Sequence, residues 1–156
     1  MSERLNWPKS APGAYKAMLS LHEYLEKQSG LEKELLDLLY LRVSQINGCA
    51  FCIDMHWKDL RSTRISEAHL YLLNAWREGP GYSPRERAAL EWAEAVTKLT
   101  NQDVPDETYR VVREQFTETE VTNLTLAIVA INGWNRLNIA FHKQAPRYEL
   151  VEPAMA

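Results

Sequence analysis

Apolar positions recur along the chain at intervals of three and four, the period of a helix that buries one face. Tyr15, Met18, Leu19 and His22 fall at i, i+3, i+4 and i+7. After Ser29-Gly30 a second helix starts near Leu31. Its Leu35, Leu38, Leu39 and Ile46 form a wide apolar face, and Asn47-Gly48 interrupts it. The segment CAFCIDMHWKDLR predicts a third helix to about Arg61, and a fourth runs from Ser66 to the Gly79-Pro80-Gly81 break. Ser83-Pro84-Arg85-Glu86 combines a capping serine, a first-turn proline and a capping-box acid, so a fifth helix runs from there to about Leu99. A shorter helix follows Val104-Pro105. Thr117 and Glu120 form a second capping box that opens a long last helix to about Phe141. Its stretch LTLAIVAINGW is apolar on nearly every face, which predicts burial in the core or in a contact between subunits.

No segment sustains the alternation of a strand, and there is no repeat or low-complexity tract. The expectation is an all-α protein: one domain of about seven helices over residues 1–143, followed by a C-terminal arm over 144–156. A length of 156 residues suits one domain with a substantial core, and the 46% apolar and 25% charged content is that of an ordinary globular chain. The net charge of −3 leaves no basic footprint for nucleic acid or an anionic membrane surface. The first ten residues lack the apolar stretch of a signal peptide, and the most apolar run, 124–131, falls far short of the ~20 residues that span a bilayer. These features predict a cytoplasmic protein.

The chemistry is concentrated in one place. Cys49 and Cys52 are the only cysteines, and His56 follows four residues after the second. Gly48 ends the second helix, so Cys49 falls at the start of the third. There the free N–H groups and the helix dipole favour a thiolate. The spacing lets the two sulfurs form a disulfide without unfolding the turn. Cys52 and His56, at i and i+4, share one helix face, so the imidazole can accept a proton from the thiol directly or through one water. Two other readings stand beside this one. A structural zinc site would need four ligands, whereas His22, His69 and His142 are scattered singly. Alternatively the two cysteines are inert and buried. His22 and His69 read as packing residues, His142 as a partner of the last helix's C-terminal dipole, and Trp134 as core filling. No motif calls for a cofactor, and no metal is expected.

The stretch LRVSQINGCAFCIDMH resembles the signature of the carboxymuconolactone decarboxylase-like family, in its AhpD-like alkylhydroperoxidase branch. SPRERAALEWAEAVT and LTLAIVAINGWNR are similar to the same branch in content and order. The resemblance implies an all-helical fold and a homo-oligomer, trimeric or hexameric. It also implies a peroxidase in which Cys52 attacks a small-molecule hydroperoxide, Cys49 resolves the sulfenic acid as a disulfide, and His56 is the base. A carboxylate twelve residues before the first cysteine completes the relay in that branch. Asp37 stands at that position here in place of glutamate, with Glu34 one turn earlier. Phe51 stands where well-known members carry a histidine. An external dithiol, thioredoxin-like or lipoyl, would restore the pair. A thiol–disulfide oxidoreductase or redox-sensing protein acting on other proteins' disulfides is the alternative. Decarboxylation fits less well, because Arg42 and Arg136, the basic residues a substrate carboxylate would need, read equally as surface or ion-pair residues.

Overall fold

The computed structural model describes residues 2–63 and 65–145. Eight α-helices account for most of it: α1 (Trp7–Ser10), α2 (Pro12–Gln28), α3 (Lys33–Asn47), α4 (Ala50–Arg61), α5 (Glu67–Tyr71), α6 (Pro84–Lys98), α7 (Asp106–Gln115) and α8 (Glu118–Ala140). Among the described residues there is no strand, so the all-α expectation holds. The arm expected over 144–156 lies outside the described residues from position 146 onward.

Both capping boxes form as the sequence predicts. Ser83 accepts from the Glu86 N–H and Thr117 from the Glu120 N–H, while each glutamate accepts from the N–H of its cap. Two expectations need correction. The helix expected from Ser66 to Gly79 is only the five-residue α5, continued by a 3-10 turn over Leu73–Ala75. Trp76 and Leu73 are drawn into the core beside Tyr82 and Leu90, and that packing does not lie on one continuous helix face. The second correction is α1, a four-residue turn absent from the sequence reading, with Asn6 as its cap and Pro8 inside it.

Helix α3 is the axis of the molecule. It packs against α4, α6 and α8, and it carries buried residues on every side, from Leu35 and Leu36 to Val43 and Ser44. One apolar cluster joins α3 to α6 and α8 through Leu39, Ala89, Leu124 and Ile128. A smaller one joins it to α4–α6 through Leu38, Leu41, Leu60 and Trp76. Helix α8 is buried along most of its length, although Val129 and Ile139 are exposed.

The join between α3 and α4 positions the chemistry. Gly48 adopts a left-handed backbone (φ +70), its N–H bonds to the Gln45 carbonyl, and the Cys49 N–H reaches back to Ser44 at 3.1 Å. This pair of bonds is a Schellman ending. Cys49 is at once its last residue and the N-cap of α4. Gly48 and Cys49 alone stand between the two helices.

Candidate active site

Cys49 and Cys52 are both buried, with relative exposures of 2% and 1%, and both are free thiols. The neighbouring Cys49 thiol lowers the Cys52 pKa to about 7 against the cost of burial, and the amides of Asn138 and Asn135 lower it further. The same pairing, with burial, pushes the Cys49 thiol up, so the environment favours the thiolate on Cys52. The Asn138 Nδ2 lies 3.3 Å from the Cys52 sulfur and donates to it.

His56 is buried at 3% exposure, and neither ring nitrogen has a hydrogen-bond partner. It is therefore not directly bonded to Cys52, although both line the same cavity. Burial, followed by the charges of His22 and Lys33, lowers the His56 pKa to about 3, so the ring is a neutral imidazole. Its closest carboxylate is Asp59 on the next turn of α4, with Oδ2 3.8 Å from Nδ1. Asp37 is buried too. Its carboxyl oxygen, the Asp59 oxygen and a His56 nitrogen all lie within 4.8 Å of one another. Burial raises the Asp37 pKa, and Lys33, whose Nζ donates to Oδ2 at 2.8 Å, partly offsets this. Glu34, by contrast, is exposed. Asp37, His56 and Asp59 are the donor set nearest to a metal site among the described residues, but the Lys33 ammonium already occupies the Asp37 carboxylate and competes with any cation.

The cavity has a volume of about 390 Å³ and an apolar, aromatic lining. Trp7, Tyr15 and Trp134 form a mutually tilted cluster with ring centroids 5.5–6.0 Å apart. Phe51, Tyr40 and Met55 close the other sides, with Cys52, His56, His22, Asn138 and Lys143 as the polar groups in the wall. The Tyr40 ring lies 5.1 Å from His56, and its hydroxyl is buried without a partner. Trp134 thus packs against the main apolar cluster, as expected, and also lines the cavity. Cys49 lines a second cavity of about 180 Å³ that shares Phe51, Asn138 and Lys143 with the first.

None of the remaining candidates lines the cavity on Cys52. His69 stacks on Tyr82 and meets Glu86 at 3.1 Å, and Arg42 pairs with the buried Glu94. His142 follows the end of α8 in a left-handed backbone. Arg136 is exposed and bonds Asn132. The sequence reading missed Asn135 and Asn138. Their signal is the i, i+3, i+6 spacing of Asn132, Asn135 and Asn138 along an otherwise apolar helix, which aligns three amides on one stripe. They form a ladder: Asn135 donates to Ser44 and accepts from Asn47, and Asn47 also donates to Asn132.

The Carboxymuconolactone decarboxylase family signature matches residues 12–95, a stretch that contains both cysteines, His56 and Asp37. The chain belongs to this family. It is 44% identical to the uncharacterized protein YdfG of Bacillus subtilis (strain 168) over 145 residues, covering 93% of this chain and 98% of that one. A crystal structure from Agrobacterium tumefaciens, described as a protein of unknown function with a suggested AhpD-type role in antioxidant defence, superposes with a TM-score of 0.90. It is 43% identical, and the match covers 94% of this chain and 100% of that one. The AhpD core of a peroxidase-related protein from Ralstonia eutropha JMP134 shares the fold at a TM-score of 0.79, with 21% identity over 89% of this chain and 74% of the other. The fold is thus AhpD-like, and the family points to an enzyme.

Proposed function

We propose that the protein is a thiol-dependent peroxidase that cycles through a Cys49–Cys52 disulfide. The observation that carries this reading is the placement of Cys52: a buried sulfur with a donor amide and a second thiol beside it, on the wall of an apolar cavity. A small hydroperoxide fits such a cavity. The apolar cavity on Cys52 favours a small hydroperoxide as its oxidant over another protein's disulfide.

In this mechanism the Cys52 thiolate attacks the distal oxygen of the hydroperoxide. An S–O bond forms as the O–O bond breaks, and the departing alkoxide takes up a proton and leaves as the alcohol. The Cys49 sulfur then displaces water from the sulfenic acid, its own proton going to the leaving hydroxide. A neutral His56 with two free nitrogens serves as a transient carrier of the Cys52 proton and returns it to the alkoxide. Asp37 and Asp59 face it as the carboxylates that stabilise the brief imidazolium. An external dithiol attacks Cys49 from the second cavity, because Cys52 is the better leaving thiolate. The dithiol's second thiol releases Cys49 and carries the oxidised equivalents away. The same reading includes a homo-oligomer, in which a second copy would cover exposed apolar residues such as Val129 and Ile139.

The test is peroxide consumption with a dithiol reductant. Cys52→Ser abolishes it, and Cys49→Ser leaves a single-turnover burst. Undiminished turnover in Cys52→Ser would overturn the assignment.

A further inference from the structure

The Cys52 sulfur is linked to the N-terminal segment by two hydrogen bonds through one amide. Asn138 Nδ2 donates to the sulfur at 3.3 Å, and Asn138 Oδ1 accepts from the Trp7 indole Nε1 at 3.4 Å. Both Trp7 and Asn138 lie outside the stretch that the family signature matches.

The chemistry of the three groups fixes the direction of this chain. An indole N–H can only donate, so it must face an oxygen. A carboxamide has one oxygen end and one NH2 end of nearly equal size. With its oxygen held by Trp7, the amide has only the NH2 end to offer the sulfur. The flipped amide would set two donors against each other and place an oxygen against a thiolate. Asn138 is 7% exposed, so water does not readily replace either partner.

Trp7 is itself held in place. It is 4% exposed and wedged against Tyr15 and Trp134. The residues before it are strapped to the end of α8: the Arg4 N–H bonds the Phe141 carbonyl at 3.0 Å, the Arg4 guanidinium bonds the Ala140 carbonyl, and Glu3 faces Lys143. Immediately before Trp7, Asn6 caps α1. Trp7 and Pro8 also form part of the cavity wall. The strap that orients the amide is thus also a wall of the chamber into which Cys52 faces.

We infer that Asn138 is a catalytic residue that holds the Cys52 thiolate, and that Trp7 is a positioning residue that locks the Asn138 amide with its NH2 end on the sulfur. The reactivity of the thiol then depends on a docked N-terminal strap. The inference rests on the geometry of Cys52 alone and applies to any thiolate chemistry at that position, so its fate is separable from that of the peroxidase reading.

The experiment measures the rate of iodoacetamide alkylation of Cys52 in the fully reduced protein at pH 6, with the modified cysteine identified by mass spectrometry. Circular dichroism checks the fold of each variant. Asn138→Leu slows alkylation about tenfold, since a hydrogen bond to a charged group is lost. Trp7→Phe keeps an aromatic ring in the cluster and removes only the N–H donor; it slows alkylation by about threefold. In the Asn138→Leu background Trp7→Phe has no further effect, because the group it acts through is gone. If Asn138→Leu does not fold, the isosteric Asn138→Asp replaces it, since it accepts from Trp7 but offers the sulfur no donor. An unchanged rate in either Asn138 variant overturns the role of the amide. A Trp7→Phe effect of equal size in both backgrounds overturns the positioning role and leaves Trp7 as packing.

Discussion

Helix α3 places two buried acids in opposite circumstances. It holds Glu94 of α6 through Arg42, and it carries Asp37 one to two turns earlier. Around Glu94 every demand is met: Trp76 Nε1 donates at 2.8 Å, Arg42 and Arg77 at 2.8–2.9 Å, and Lys98 approaches at 3.3 Å. Burial alone would raise its pKa, but hydrogen bonds from Trp76, Arg77 and Arg42 outweigh that and hold it at about 2. Around Asp37 the account is left short. One lysine reaches it, its pKa is raised, and the neighbouring Tyr40 hydroxyl and both His56 nitrogens have no partner. A fully satisfied polar cluster holds a fold together, whereas an unsatisfied one is free to exchange protons with a reactant. The first lies away from the cavity and the second adjoins it.

The largest expected effect strikes the satisfied side. Glu94→Ala leaves the Arg42 guanidinium, whose side chain is only 12% exposed, without its counter-charge. The cost is about 3–5 kcal/mol of stability by denaturant titration. Cys52 alkylation in the protein that remains folded is unchanged. A loss below about 1 kcal/mol would erase the contrast, because it would place this pair among ordinary surface bridges.

The next effect separates the two clusters by pH. The His56 pKa falls from 6.5 unfolded to about 3 folded. Between these values the unfolded chain binds the extra proton, so stability declines as pH falls below 6.5, by at most about 1.4 kcal/mol per pH unit. Glu94 has the same sign, but its window opens only below its ordinary 4.5. Asp37 has the opposite sign, because its raised pKa favours the folded, protonated form just above 3.8. Chemical denaturation midpoints measured against pH should therefore begin to drop above pH 5. In His56→Asn the drop should be deferred to below about 4.5. An identical acid limb in both proteins would mean that His56 is not held neutral by burial.

The smallest effect tests the weaker arm of the site. Asp37→Asn removes a negative charge that faces His56 and leaves the brief imidazolium less stabilised, so it should slow steady-state peroxide turnover by about threefold. Turnover equal to that of the wild type would remove Asp37 from the relay.

The chain's punctuation made much of the fold legible in advance. Ser83-Pro84-Arg85-Glu86, Thr117 to Glu120, and Gly48 before Cys49 are local signals whose physics is complete within four residues. The cysteines and His56 were legible for the same reason, since neighbours on one helix turn need no tertiary information. What escaped depends on distant partners. Nothing near Leu73 shows that Trp76 turns inward to donate to Glu94, so α5 was read too long. Asn138 reads as one polar residue near the frayed end of a helix. It gains meaning from a tryptophan 131 positions away and a sulfur 86 positions away. The spacing of His56 and Cys52 leaves proton transfer open directly or through one water; the structure shows no direct bond, because the side chains of an i, i+4 pair are only neighbours and these two face the cavity side by side.

The shared residue between α3 and α4 has a consequence for what the chain can tolerate in length. Because Cys49 ends one helix motif and begins the next, there is no slack to absorb an insertion. One added residue between Gly48 and Ala50 would break either the ending of α3 or the cap of α4 and so shift α4 against α3. Cys52 and His56 would then swing off the cavity wall together, or α4 would give up its buried face to keep them there. Loops elsewhere on the molecule can lengthen or shorten with little cost. Here the residue count is itself part of the site.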